Sequence, residues 1–135
     1  MTHFLLDTNH ASAVFKGKLD LRTHPKSGPG DEFGVSIPGI GELWFMVWNS
    51  ARQAQNTTRL RQMLSSFILW HFDLVSAEEF GRVKTRLRQL GRPVPDVDLQ
   101  IAFIALVNDL VLLTKDAHFA SLLAFTPLKR DDWLP

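Results

Sequence analysis

Short apolar runs alternate along this chain with longer stretches of helical spacing, and that rhythm restricts the fold more than any other feature. Phe4 to Leu6, Phe33 to Ile37, Phe67 to Phe72 and Leu110 to Leu113 have the length of strands and are too short for stable helices. Helical patterns separate them. Ala11 to Phe15 belongs to a short helix with Thr8 or Asn9 available as its cap, and Pro38 opens the helix that carries Glu42. Ala51 to Ser66 has helical spacing, and a basic helix capped by Ser76 stops at Gly91 with Pro93 beyond it. Pro95 and Asp96 open an apolar helix that ends near Asn108 and Asp109. A short helix from Asp116 to Leu123 and an edge strand from Phe125 to Leu128, where Pro127 is tolerated, complete the series. Strand and helix in alternation predict an α/β fold with a mostly parallel sheet covered on both faces.

Carboxylates punctuate this pattern. Asp7 closes the first apolar run and Asp116 follows the last of the buried ones, which places both at the carboxyl ends of parallel strands, where open α/β sheets bind their ligands. Glu42 and Asp98 fall in first helical turns at the same end of the sheet. Each acid also has an ordinary role open to it. Asp7 and Asp116 can cap the helices that follow, Asp98 can favour the positive end of its helix, and Glu42 can be solvated. Gathered in one pocket, they stay ionised only around a shared cation, because like charges otherwise drive a pKa upward. Oxygen-only ligation points to Mg²⁺ or Mn²⁺.

The 135 residues fit a single domain spanning 1–135, and 45% hydrophobic with 21% charged residues is the balance of a folded protein. Cysteine is absent, which excludes disulfides, thiolate metal sites and cysteine nucleophiles. No signal-peptide pattern or membrane-length apolar stretch is seen, so a cytoplasmic protein with no membrane partner is expected. A net charge of +1 gives no general attraction for nucleic acid, and any such partner needs a local patch. Arg82, Lys84, Arg86, Arg88 and Arg92 supply one, as a phosphate-tracking surface or a solvated face, with Arg52, Arg59 and Arg61 as rival contributors. Trp44 and Trp48, four residues apart on the helix bearing Glu42, read as a core stripe; exposed, they would suit a dimer or a partner helix. His118 reads as structural, and Gly28-Pro29-Gly30 as a turn.

Four segments together resemble a known family: Leu5-Leu6-Asp7-Thr8-Asn9, Gly41-Glu42-Leu43, Pro95-Asp96-Val97-Asp98-Leu99-Gln100-Ile101-Ala102, and Leu113-Thr114-Lys115-Asp116-Ala117-His118-Phe119. In order, spacing and apolar frame, over essentially the whole chain, this resembles a PIN-domain ribonuclease of the VapC toxin type. The resemblance implies a three-layer α/β/α sandwich with a central, mostly parallel sheet. It implies a Mg²⁺- or Mn²⁺-dependent endoribonuclease that inhibits translation by cleaving tRNA or rRNA, with Asp7, Glu42, Asp98 and Asp116 as the acidic quartet. Asp7 and Asp98 are then the expected direct metal ligands, with Glu42 and Asp116 acting directly or through water. Thr8 and Asn9 match the supporting polar pair, where helix capping is the alternative, and Asp96 is a helix cap or a group behind the ligands. A small VapB-like antitoxin and a homodimer are the implied partners. From a different class, the alternative is a catalytically silent PIN-like module that binds RNA or protein.

Overall fold

The computed structural model describes every residue from Met1 to Pro135. Its sheet has five strands in the order β3-β2-β1-β4-β5, every neighbouring pair parallel. β1 (His3–Leu6) lies at the centre, between β2 (Glu32–Ser36) and β4 (Val111–Leu113). Phe4-Leu5-Leu6 is uniformly apolar for that reason, since a central strand covered on both faces has no polar side to present. Its side chains divide by strand alternation. Leu5 joins Leu112 in one core, whereas Phe4 and Leu6 join Phe33, Val35 and Leu113 in the other.

Helices α1 (Thr8–Phe15), α2 (Ile37–Trp48) and α3 (Gln53–Leu64) contribute Ala11, Leu43, Val47 and Leu60 to the Phe4 face. Helix α4 (Leu74–Gln89), which follows the short strand β3 (Ile68–Trp70), and α5 (Asp96–Val107) cover the Leu5 face. α5 is enclosed between sheet and α4, so Leu99 and the whole run Ile101 to Ala105 are buried. The result is the three-layer α/β/α arrangement.

Gly34 sets the spacing of one sheet edge. A Cβ there would lie 2.5 Å from Trp70 Nε1 and 2.8 Å from the Ile68 carbonyl oxygen, so only glycine admits the Trp70 ring across β2. Gly91, with φ of 66°, ends α4 in the left-handed region, and Arg92 N–H donates back to Leu87 O at 2.9 Å.

Three sequence expectations about boundaries are corrected. α1 begins at Thr8 and is capped by Asp7, whose Oδ1 accepts from Thr8 N at 2.7 Å, so neither Thr8 nor Asn9 is the cap. Asp73 caps α4 by accepting from Ser76 N at 2.8 Å; Ser76 itself is buried inside the first turn. The edge strand is β5 (Lys129–Asp131), beyond the expected Phe125 to Leu128. Pro127 lacks the N–H for a ladder, Leu128 turns into the core, and the parallel register begins at Val111 opposite Lys129.

Candidate active site

The strand register brings the carboxyl ends of β1 and β4 level, with Leu6 opposite Leu113, and Asp7 N–H donates to the Leu113 carbonyl at 2.9 Å. From β1 the chain runs outward to β2 and β3, then returns to the other side of β1 as β4 and β5. Asp7 and the residues after β4 therefore stand at the point where the strand order reverses, the crevice where sheets of this kind bind ligands.

Asp7 is held there on both oxygens. Oδ1 accepts from Thr8 N, and Oδ2 accepts from the Thr114 hydroxyl at 2.8 Å, while Thr114 Oγ1 accepts from Asp116 N at 3.0 Å. Thr114 thus fixes one acid and the backbone of a second. On the other side the Thr8 hydroxyl donates to Glu42 Oε1, tying α1 to α2. Asp116 caps the 3₁₀ helix Ala117–Leu122 by accepting from His118 N at 2.9 Å. The His118 ring then reaches both remaining acids: Nδ1 lies 3.0 Å from Asp98 Oδ2 and 3.0 Å from Asp116 Oδ1. Side chains from α1, α2, α5 and the two loops after β1 and β4 form one continuous network.

The electrostatics follow from burial and crowding. Asp7 is 3% exposed, and burial pushes its pKa up to about 6. The Thr114 and Thr8 hydrogen bonds oppose that rise, and the charges of Asp98 and Asp116 add to it. Burial also raises Asp98; the His118 hydrogen bond acts against it and the Asp116 and Glu42 charges act with it. His118 is raised by its hydrogen bond to Asp98 and by the charge of Asp116. A buried acid that resists ionisation beside other acids is a site short of positive charge. The donor chemistry fits a divalent cation: one ligand atom each from Asp98, Asp116 and His118 lie within 4.8 Å of one another.

Hydrogen bonds and charge link the quartet read from the sequence, but only Asp98 and Asp116 of the four stand in the compact ligand group with His118; Asp7 and Asp116 also keep their ordinary roles, since each caps a helix. Thr8 lies beside the acids, with its hydroxyl on Glu42. Asn9 is exposed and makes no hydrogen bond to the acids; it lines a neighbouring cleft. Asp96 neither caps α5 nor touches the network, and pairs instead with Lys84 at 2.9 Å. The structural reading of His118 is corrected, because its ring joins two of the acids. Its signal was present, because a residue at the second position of a capped turn shares its carboxylate's surroundings.

Of the basic helix, Lys84 is paired with Asp96 and Arg82 with Glu79, while Arg86, Arg88 and Arg92 are exposed without ion pairs. Arg59 donates to the Phe15 carbonyl and lies over its ring, and Arg61 lies over Trp44, so both serve packing. Trp44 is half-buried and packs against the Phe4-side core as expected, whereas Trp48, stacked on it at 5.7 Å, is 55% exposed beside Phe45 at 71%, a correction to the core reading of Trp48. Trp48 fails as core because Leu43 and Val47 already fill the sheet-facing side of α2. No helix is long and apolar enough to cross a membrane.

No family model matches the chain. In sequence it is similar to ribonuclease VapC2 of Haemophilus influenzae, 24% identical over 136 aligned positions that cover 99% of this chain and 100% of that protein. It is 28% identical to ribonuclease VapC4 of Mycobacterium tuberculosis over 113 positions, 82% of this chain and 87% of that one. In fold it is similar to VapBC-1 of nontypeable Haemophilus influenzae, with a TM-score of 0.83, 22% identity and 98% of both chains covered. VapBC2 of Rickettsia felis, solved on a DNA fragment from its promoter, gives a TM-score of 0.80 at 23% identity, covering 98% of this chain and 99% of that one.

Proposed function

From a chain similar in sequence to VapC ribonucleases and sharing the PIN-like fold found in VapBC complexes, we propose a metal-dependent endoribonuclease that acts as the toxin of a toxin-antitoxin pair. The observation that carries this reading is the meeting of Asp7, Glu42, Asp98 and Asp116 at one sheet end, joined through Thr8, Thr114 and His118. Helix caps alone would leave such acids apart.

In this reading Asp7, Asp98 and Asp116 hold Mg²⁺ or Mn²⁺, with Glu42 directly or through water, and Asn9 and Asp96 are left without a supporting role. When bound, the ion offsets the repulsion among the acids, acidifies a water and neutralises charge on the scissile phosphate. The chain's own residues supply the alignment. Thr114 and the Thr8 N–H keep both Asp7 oxygens at fixed angles. The Thr8 hydroxyl fixes Glu42, which is half-buried and free on its other oxygen to orient a water. His118 keeps Asp98 and Asp116 facing one another and is a further donor beside them.

Partners follow from the same reading. The exposed Trp48 and Phe45 beside Trp44 form an aromatic surface on the helix that bears Glu42, suited to an antitoxin helix or a second copy of the chain. The substrate is RNA, with tRNA or rRNA as the class to test. Purified protein is expected to cleave RNA with Mg²⁺ or Mn²⁺ and to stop on chelation. Asp7→Asn and Asp98→Asn are each expected to lower the rate at least about a hundredfold, as loss of transition-state charge stabilisation does. Wild-type protein that binds RNA and cuts none with either metal would leave the silent binding module as the better account. Mapping RNA ends after induced expression, with Asp7→Asn as control, identifies the target.

A further inference from the structure

A polyanion approaching a pocket of four carboxylates is repelled unless cations lie alongside, and the positions of the positive charges in this chain are specific. Lys26, Lys84 and Lys129 are each paired with an aspartate. Lys16, Lys18 and Lys115 are exposed and pair with no acid. These three line one cleft of about 300 Å³, with Asn9 and Ser12 on its wall.

Two residues lining the cleft are chain neighbours of the acidic network. Lys115 immediately precedes Asp116, and Asn9 follows Thr8, whose hydroxyl holds Glu42. Lys16 and Lys18 lie at the far end of α1, which is about 12 Å long at 1.5 Å per residue. The positive charges thus begin beside the acids and continue along α1, a path open to a strand with one of its phosphates at Asp7 and Asp116. In the basic segment of α4 two cations are neutralised, and Arg86, Arg88 and Arg92, which stay unpaired, do not line this cleft.

The geometry points to the Lys16, Lys18 and Lys115 cleft as a subsite for the phosphates of single-stranded RNA flanking the scissile bond. Lys115 contacts the phosphate nearest the acids, Lys16 and Lys18 contact phosphates farther along, and the Asn9 amide donates to a phosphate or sugar oxygen between them. This assignment rests on the nuclease reading for its orientation, but its cations bind RNA whether or not the acids cut it.

The test measures anisotropy of a short fluorescent oligoribonucleotide of mixed sequence over a series of salt concentrations, in the Asp98→Asn background so that the probe stays intact. The triple change Lys16→Ala, Lys18→Ala and Lys115→Ala is expected to weaken binding at least about tenfold and to lower the salt slope by about 2, the value for three single-strand phosphate contacts. Lys→Arg at the same positions is expected to restore both. Wild-type affinity and slope in the alanine protein overturn the subsite, as does equal loss from Arg86→Ala, Arg88→Ala and Arg92→Ala together. Binding of polyglutamate in place of the RNA also overturns it, in favour of an acidic protein segment. The two readings separate cleanly. RNA cleavage with binding indifferent to the lysines removes the subsite alone, and lysine-dependent binding without cleavage removes the nuclease alone.

Discussion

Asp7 combines three duties that a single carboxylate rarely carries: it ends a strand, caps α1 and stands at the centre of the acidic network. The cost is visible in its pKa of about 6 against an ordinary 3.8, which burial causes. Because the folded protein holds that proton more tightly, the cost is absent below about pH 3.8, grows as pH rises through the interval, and is complete above about 6. In metal-free protein Asp7→Asn is therefore expected to be more stable than wild type at pH 7.5, by up to about 3 kcal/mol, with the advantage vanishing near pH 4. Urea titrations of both proteins across that range check it, and a pH-independent difference would refute it. His10, whose burial lowers its pKa to about 4, pulls stability the opposite way over the same range, so the difference between the two proteins is the quantity to follow. Added Mg²⁺ should reverse the order of stability at pH 7.5. His118→Ala should weaken Mn²⁺ binding about tenfold or more by calorimetry, as loss of a group contacting metal-holding carboxylates does; an unchanged Kd would reduce His118 to a counter-charge. At this scale Asp7, Asp98 and Asp116 were legible because each ends an apolar run or opens a helix, whereas Glu42 stands in the second turn of α2 and not in the first turn expected from the sequence. Thr114 was not, since a threonine after a strand is commonplace until the register places it against Asp7.

Elements whose burial matches their composition were legible, and those whose burial departs from it were not. β1 and β4 are buried on both faces and read as continuous apolar runs. β5 is Lys129-Arg130-Asp131, a polar edge with one neighbour, and its pairing comes from backbone alone. The apolar signal at Phe125 to Leu128 marked the segment that plugs the core, not the strand. Gly34 tests the sheet's edge at this scale. Gly34→Ala should cost about 1–3 kcal/mol, because the new methyl meets the Ile68 carbonyl as well as the movable Trp70 ring, and overpacking costs that much. Chemical denaturation measures it, and a neutral result would mean that β3 shifts freely away from β2.

The whole molecule is closed by residues at its far end. Trp133 is buried against Phe4 and Phe33, stacks on His24 at 4.5 Å, and donates its backbone N–H to His10 Nε2 at 3.0 Å. It therefore locks the final segment over β1, β2 and α1 at once. Trp133→Ala is expected to cost about 3–5 kcal/mol in urea denaturation, the usual loss for a buried aromatic side chain; a small loss would mean that the segment closes nothing. Local sequence by itself determined the alternation of strands and helices and the parallel sheet, because periodicity and capping act within a few residues; it offered the four acids as candidates, with Asp98 preferred to Asp96 on the family resemblance. It did not determine which cations remain unpaired, that Trp48 and Phe45 face outward, or that Thr114 and His118 join the acids. Those depend on contacts between segments as many as 107 residues apart, and such contacts exist only after the strands have chosen their register.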